Sequence, residues 1–558
     1  MSTASSSAPT PGPLSGARIL VECLKIHGTD RVFCVPGESF LGVLDALYDE
    51  EGRIGLTVGR HEATTAHMAE AYGKLTGQPG ICFVTRGPGA SHAAIAVHTA
   101  AQDSTPMLLF VGQVPRGERG REAFQEVDFT AMFGSMAKWV VEITDPARIP
   151  ELVTRAFHVA THGRPGPVVI SIPEDMQAEV AEVSWPAPYA PAASGPDAAT
   201  LDRLQGMLEQ AERPMLVLGG SSWSAEAVAQ MRGFAERFAL PVVAGFRRQD
   251  LFDNTHPNYA GFLGFGIGPE LTRMIGEADL LLVVGERLGD TASSGYSLIE
   301  FPRPAQRLVH VHAAPEELGV LYQPELAIVS SMKGFAAAAG ALVPGALPDR
   351  SGWIAAARAQ YEKHATPPAK SPQHIDMPLI VSELAASLPE DCVITNGAGI
   401  YAGYVHRYFR YRAFGSQLAP QSGAMGYGLP AAIAAQIVNP DRPVVCFAGD
   451  GCFLMASHEL ATAAMYKLPV IVVVVDNASY GSIRIHQERQ FPSRISGTDL
   501  VNPDFSTLAR AYGAHAEVIE NTEDFAGAFE RARASGGPAV LTVRLDMDTI
   551  VAFNPRKA

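Results

Sequence analysis

The sequence predicts an α/β protein made of three doubly wound, mostly parallel sheets. Short runs rich in Val, Ile and Leu alternate with Ala-rich stretches of helical period along the whole chain, the pattern of repeated βαβ units. Several of these runs, such as 470–475, are apolar without a break, as expected of strands covered by helices on both faces. Two stretches interrupt the alternation. Residues 181–200 are rich in Pro, Ala and Ser with no period, and 344–372 carry Pro and Gly at both ends around one short helical stretch. Both read as linkers.

Taken in order, residues 1–14 are Ser- and Pro-rich with no apolar core and no Arg before Arg18, so they read as a flexible tail rather than a signal or transit peptide. The first block, 15–180, has strand runs at 54–58, 81–85, 107–111 and 168–172. The central block, 200–343, has them at 215–218, 241–244, 280–284 and 308–312. The third, 373–553, has them at 392–395, 444–448, 470–475 and 540–544. The outer blocks close on similar strands, GPVVISIP at 166–173 and GPAVLTVRL at 537–545, a hint of duplication.

Composition narrows the function classes. A hydrophobic content of 47% supplies ample core. With 43 Lys and Arg against 58 Asp and Glu, the formal charge is −15, which argues against nucleic-acid binding and against polybasic recruitment to a membrane. No apolar run near a strand is long enough to span a bilayer. Six cysteines, at 23, 34, 82, 392, 446 and 452, are scattered without metal-ligand spacing. They read as buried reduced thiols, and so as a cytoplasmic protein.

The third block holds the most informative segment. Strand 444–448 runs into Gly449-Asp450-Gly451, a helix is expected over 457–468, and strand 470–475 leads to Asp476-Asn477. Both loops follow the carboxyl ends of parallel strands, where α/β sheets bind ligands. Neighbouring strands about 4.8 Å apart would let Asp450 and Asn477 share one ion. An anionic carboxylate and a neutral amide oxygen leave an octahedral Mg²⁺ room for phosphate oxygens and water. Gly449, Gly451 and Gly481 permit close approach of a diphosphate, and a helix starting near Gly481 offers free N–H groups. The bland alternative is an ordinary pair of βα turns. A lone Gly-Asp-Gly is weak; the second loop, with Asn 27 residues after the Asp, strengthens it.

These residues resemble the thiamin-diphosphate fold of the pyruvate-oxidase and acetolactate-synthase group, and the resemblance covers nearly the whole chain. It implies thiamin diphosphate and Mg²⁺ as cofactors, with Asp450, Asn477 and the Ser479 carbonyl as metal ligands. It implies cofactor contacts from Asn396, Gly397, Gly449, Gly451, Cys452, Tyr480, Gly481 and Ser482. The stretch SGAMGYGLPAA (422–432) resembles the segment that bends the cofactor into a V. There the Gly423 carbonyl and Met425 amide would meet the aminopyrimidine, with the Met425 side chain wedged beneath. By periodicity alone Met425 is core filling.

In the first block, Arg60-His61-Glu62 opens an Ala-rich helix that ends near Gly77. An acid there compensates the helix dipole. The resemblance adds that the matching Glu bonds the pyrimidine N1′ and favours its imino tautomer. A buried carboxyl has a raised pKa suited to that exchange. In this group the Glu and the metal site meet across a subunit interface, which implies a homodimer or dimer of dimers.

Residues 86–126 follow the acetolactate-synthase pattern, including GQVPR and AFQE. By resemblance Gln125 and Lys138 line the active-site entrance, and Arg164 matches a flavin contact. Three departures stand out. Glu38, in Pro36-Gly37-Glu38-Ser39, resembles the proton-relaying acid of pyruvate decarboxylase, although that enzyme's adjacent His pair is absent; a solvated turn acid is the alternative. In YGSIRIHQ (480–487), Ile483 matches the residue facing substrate, while His486 replaces the Trp that helps choose the acceptor. In the central block Arg287 keeps the flavin pattern, but an acidic strand end reads His310-Val311-His312-Ala313. That loss weighs against FAD.

The expected activity is therefore that of an acetolactate synthase-like carboligase, acting on small molecules. It would decarboxylate a pyruvate-like 2-oxo acid and pass the acyl carbanion to an acceptor carbonyl. The alternative is a benzaldehyde-lyase-like or decarboxylase-like enzyme with Glu38 as relay. A non-catalytic cofactor-binding protein is the remote one.

Overall fold

The computed structural model describes residues 12–369 and 375–546. Most of the expected tail and the end of the third block therefore lie outside the described residues. Three six-stranded sheets carry the chain, each parallel throughout. In spatial order the first runs Gly55–Val58, Arg31–Cys34, Gly80–Val84, Met107–Gln113, Pro167–Pro173, Trp139–Glu142. The second runs Tyr259–Phe262, Val242–Ala244, Pro214–Leu218, Leu280–Val284, Arg307–His312, Leu326–Val329. The third runs Gln417–Leu418, Val393–Asn396, Val444–Gly449, Ile471–Asp476, Ala539–Arg544, His515–Ile519. The fold class is as the sequence predicts.

Every strand expected from an apolar run is present within two residues of its expected bounds. The unbroken runs sit inside the sheets, and Met107–Gln113 is buried at every position, as coverage on both faces requires. The helices are built locally. Asp197, Ser224 and Ser331 each cap one by accepting an amide from the first turn, which satisfies a donor the helix itself cannot.

The helix expected over 457–468 forms over 457–465 with a 3₁₀ first turn, and a separate short helix precedes it. Asp450–Leu454 starts directly from the strand, and after a break at Ala456 (φ −136°) a 3₁₀ turn, Ser457–Glu459, leads into Leu460–Met465. The short helix starts at Asp450 because Gly449 is still extended and Asp450, as first-turn acid, suits a helix N-terminus.

The chain divides into two compact units between Ala192 and Ala193. The second unit contains both later sheets. Within it, the Gln249 amide N–H meets Gln417 Oε1 at 2.7 Å, while Asn254 and Tyr411 exchange two bonds at 2.8 and 3.0 Å. The stretch read as a second linker forms the helix Ser351–Ala365. Buried Arg350 ahead of it donates to the carbonyls of Leu208, Ala211 and Phe238. Among the described residues, no helix is long and apolar enough to cross a membrane. All six cysteines are buried and free.

Candidate cofactor site

The third sheet builds a cleft at its carboxyl edge. Strands Val444–Gly449 and Ile471–Asp476 pair in parallel with Gly449 opposite Val475. The two loops that follow are thus side by side, and Asp450 and Asn477 line one cleft of about 230 Å³. Gly423, Met425, Gly449, Gly451, Cys452, Ser479, Tyr480, Gly481, Ser482 and Ile483 line the same cleft.

Asp450 is buried. Its Oδ1 accepts the Gly451 amide at 2.8 Å and its Oδ2 accepts Asn502 Nδ2 at 2.8 Å. Burial pushes its carboxyl upward, against the pull of those bonds. The same Asn502 nitrogen donates to Asp476 Oδ1 at 2.8 Å, so one amide group tethers both acids. In the second loop Ala478 takes a left-handed φ of 51°. That bend brings the Ser479 amide to Asn477 Oδ1 at 3.0 Å. The helix Gly481–Gln490 begins at the cleft and directs its first amides there.

Close packing explains the glycines. A Cβ at Gly451 would lie 2.7 Å from the Tyr480 ring, one at Gly449 2.9 Å from the Tyr401 ring, and one at Gly397 2.5 Å from Cys452 Sγ. Cys452 Sγ accepts the Gly426 amide at 3.1 Å and the Tyr401 hydroxyl at 3.4 Å. Asn396 and Gly397 stand behind the cleft: both are buried, and Asn396 Nδ2 donates to the Gly397 carbonyl at 2.8 Å. Met425 lines the cleft and also packs on the apolar core. His486 is exposed on the same helix as Ile483, outside the lining.

Sequence reasoning missed Tyr401 and Asn502. Tyr401 follows the end of strand Val393–Asn396, and position at a strand's carboxyl end was a usable signal. Asn502 lies in a loop with no motif around it.

The first unit carries the other residues singled out in the sequence. Glu62 opens the helix Glu62–Thr76, which ends on Gly77 at φ 70°. Its Oε2 accepts from His92 Nδ1 at 2.8 Å. Glu38 begins a 3₁₀ turn and is exposed; its carbonyl accepts the Leu41 amide, while its carboxylate has no hydrogen-bond partner among the described residues. Gln125 holds a left-handed φ of 64°, and its carbonyl accepts the Gly87 amide at 3.1 Å. Lys138 donates to the carbonyls of His162 and Arg164, at 2.8 and 2.7 Å. Arg164 in turn donates to Ser104 Oγ at 2.9 Å and the Ala101 carbonyl at 2.5 Å.

Comparison with known sequences places the chain in a family. Residues 14–132 match the thiamine pyrophosphate enzyme N-terminal TPP binding domain, 201–339 the central domain, and 397–543 the C-terminal TPP binding domain. An acetolactate synthase large subunit of Parasynechococcus marenigrum is 35% identical over 92% of this chain and 85% of its own length. The chain belongs to the thiamine pyrophosphate enzymes. The isozyme 2 large subunit of Escherichia coli acetolactate synthase is 31% identical over 96% of both chains, and the Lactococcus lactis large subunit 32% identical over 92% and 90%. This is thus an acetolactate synthase-like, thiamin-diphosphate-dependent enzyme.

The central block of this enzyme treats its strand ends differently. Glu286 follows Leu280–Val284 and Gly285 and is buried. Its Oε1 accepts the Arg287 amide at 3.0 Å, while Oε2 has no partner among the described residues. A Cβ at Gly219 would lie 2.4 Å from that Oε2, and one at Gly245 2.2 Å. The Glu286 side chain therefore fills the space over glycines ending two neighbouring strands. Beside it a Cβ at Gly220 would lie 2.1 Å from the Gly285 carbonyl oxygen, so those backbones already touch. Burial pushes the Glu286 carboxyl up and the His310 imidazole down, favouring the uncharged form of each.

Proposed function

We propose that this enzyme decarboxylates a 2-oxo acid of the pyruvate type and transfers the acyl unit to an acceptor carbonyl, as a cytoplasmic homodimer or dimer of dimers. The observation that carries the reading is the pairing of Asp450 and Asn477 at adjacent strand ends in one cleft, in a chain related over most of its length to acetolactate synthases. Thiamin diphosphate supplies the electron sink for bond making and breaking beside a carbonyl. The chain's own residues do the rest. Asp450, Asn477 and the Ser479 carbonyl form an all-oxygen donor set that suits Mg²⁺. The amides opening Gly481–Gln490 would hold the diphosphate, and Met425 would support the pyrimidine. Glu62 would exchange a proton at the pyrimidine N1′ of the bound cofactor. Gln125 and Ile483 border the substrate, and His486 stands where acceptor choice is set.

The Glu38 carboxylate, exposed in the single chain and without a hydrogen bond among the described residues, fits a solvated turn acid better than a decarboxylase relay. The residues of the central crevice do not fit FAD. A dinucleotide needs close backbone approach at the strand ends, and Glu286 occupies that space. The test is to purify the protein with thiamin diphosphate and Mg²⁺, record its visible spectrum, supply pyruvate and weigh the products. Acetolactate without flavin absorbance is expected. Acetaldehyde as the main product would overturn the ligase reading, and stoichiometric flavin would overturn the account of the crevice.

A further inference from the structure

We propose that His92 is a positioning residue that holds the Glu62 carboxylate and turns one oxygen toward the cofactor. The inference rests on the reading that Glu62 meets the pyrimidine N1′. Glu62 has three rotatable side-chain bonds, and the only hydrogen bond of that side chain among the described residues is the 2.8 Å contact from His92 Nδ1 to Oε2. That contact leaves Oε1 for a ligand. The Glu62 side chain is 15% exposed and that of His92 51%, so the acid is the more sheltered of the pair.

The imidazole is itself fixed. The His61 ring stacks on His92 with centroids 4.4 Å apart and planes 28° from parallel. His61 is pinned as the cap of the Glu62 helix. Its Nδ1 accepts the Ala63 amide at 3.1 Å, and its carbonyl accepts the hydroxyls of Thr64 and Thr65, each at 2.8 Å. Helix end, first ring, second ring and carboxylate form one supported chain. A neutral imidazole can donate from Nδ1, so the arrangement needs no added charge. Its value is precision, because a proton-exchanging acid must sit within hydrogen-bond reach in the right direction. His92 lies in GPGASHAA on the second turn of the helix Gly87–Asp103, with no spacing to mark it.

The holoenzyme tests this with three variants, His92→Leu, His92→Asn and Glu62→Gln. His92→Leu should lower kcat by about 10- to 100-fold and leave substrate KM within about threefold. The near-UV circular dichroism of bound cofactor should shift from the imino toward the amino tautomer. His92→Asn keeps a donor and should recover to within about fivefold of the parent. An unchanged unfolding midpoint in both His92 variants separates positioning from stability. If His92→Leu keeps parental kcat and tautomer signal while Glu62→Gln is inactive, this proposal alone falls. If Glu62→Gln turns over normally, the reading beneath it falls as well. His61, Glu62 and His92 bring ligand atoms within 4.8 Å of one another. Stoichiometric zinc bound by the parent and lost in His92→Leu would overturn the proposal in favour of a metal centre.

Discussion

Asn502 makes two bonds from one nitrogen, to Asp450 and to Asp476. Replacing it with Leu leaves two neighbouring carboxylates without that donor, and supporting residues of this kind typically change metal affinity by about 10- to 100-fold. The Asn502→Leu protein should need correspondingly more Mg²⁺ for half-maximal cofactor binding, measured by fluorescence titration; an unchanged requirement would remove Asn502 from the site. Two buried histidines set a second expectation. Burial lowers His67 and His406 from about 6.5 to about 3. Between those values the unfolded chain binds protons that the folded chain refuses. Stability is therefore complete above pH 6.5 and falls as pH drops below it, by up to about 1.4 kcal/mol per histidine per pH unit. Urea midpoints should fall from pH 7 to pH 5, and a rise would contradict the sign. At this scale the sequence was readable where chemistry and position agree, as at Asp450 and Asn477. It was silent on Asn502, Tyr401 and His92, whose partners lie 26 to 52 residues away for Asn502, 51 for Tyr401 and 30 for His92.

The strands follow the same logic. The apolar runs visible in the sequence are mostly the inner strands, such as Val444–Gly449 and Ile471–Asp476. Five of the strands the sequence did not mark are edges: Trp139–Glu142, Tyr259–Phe262, Leu326–Val329, Gln417–Leu418 and His515–Ile519. An edge strand can face water, so it needs no unbroken apolar run, and Leu326–Val329 alternates buried and exposed. Arg31–Cys34 was missed inside its sheet because it is four residues long and starts with Arg. The loops between inner strands carry a prediction of their own. Gly285 sits at φ 77°, and a Cβ there would lie 2.5 Å from the Gly219 carbonyl oxygen. Gly285→Ala should lose about 2 to 4 kcal/mol of stability, read from denaturant unfolding. A loss below half a unit of that scale would mean the loop moves easily.

For the molecule as a whole, the dimer proposal makes an arithmetic prediction. If each active site draws Glu62 from one subunit and Asp450 from its partner, inactive Glu62→Gln and Asp450→Ala proteins complement each other. Half of randomly re-formed dimers are then mixed, each with one intact site, restoring roughly a quarter of parental activity. Mixtures that stay inactive after subunit exchange would place both groups in one chain. The cysteines offer a different kind of information. Three of them, Cys23, Cys34 and Cys82, fall in the first compact unit and Cys392, Cys446 and Cys452 in the second. Burial raises the thiols of Cys23, Cys34, Cys392 and Cys446 to about 12, and the thiolate is the reactive form. The native protein should therefore ignore an alkylating reagent, and each labelled thiol becomes a timestamp of opening. Mass spectrometry of peptides from a slow labelling course would show whether the two halves breathe together or on separate clocks, with no engineered probe in the chain.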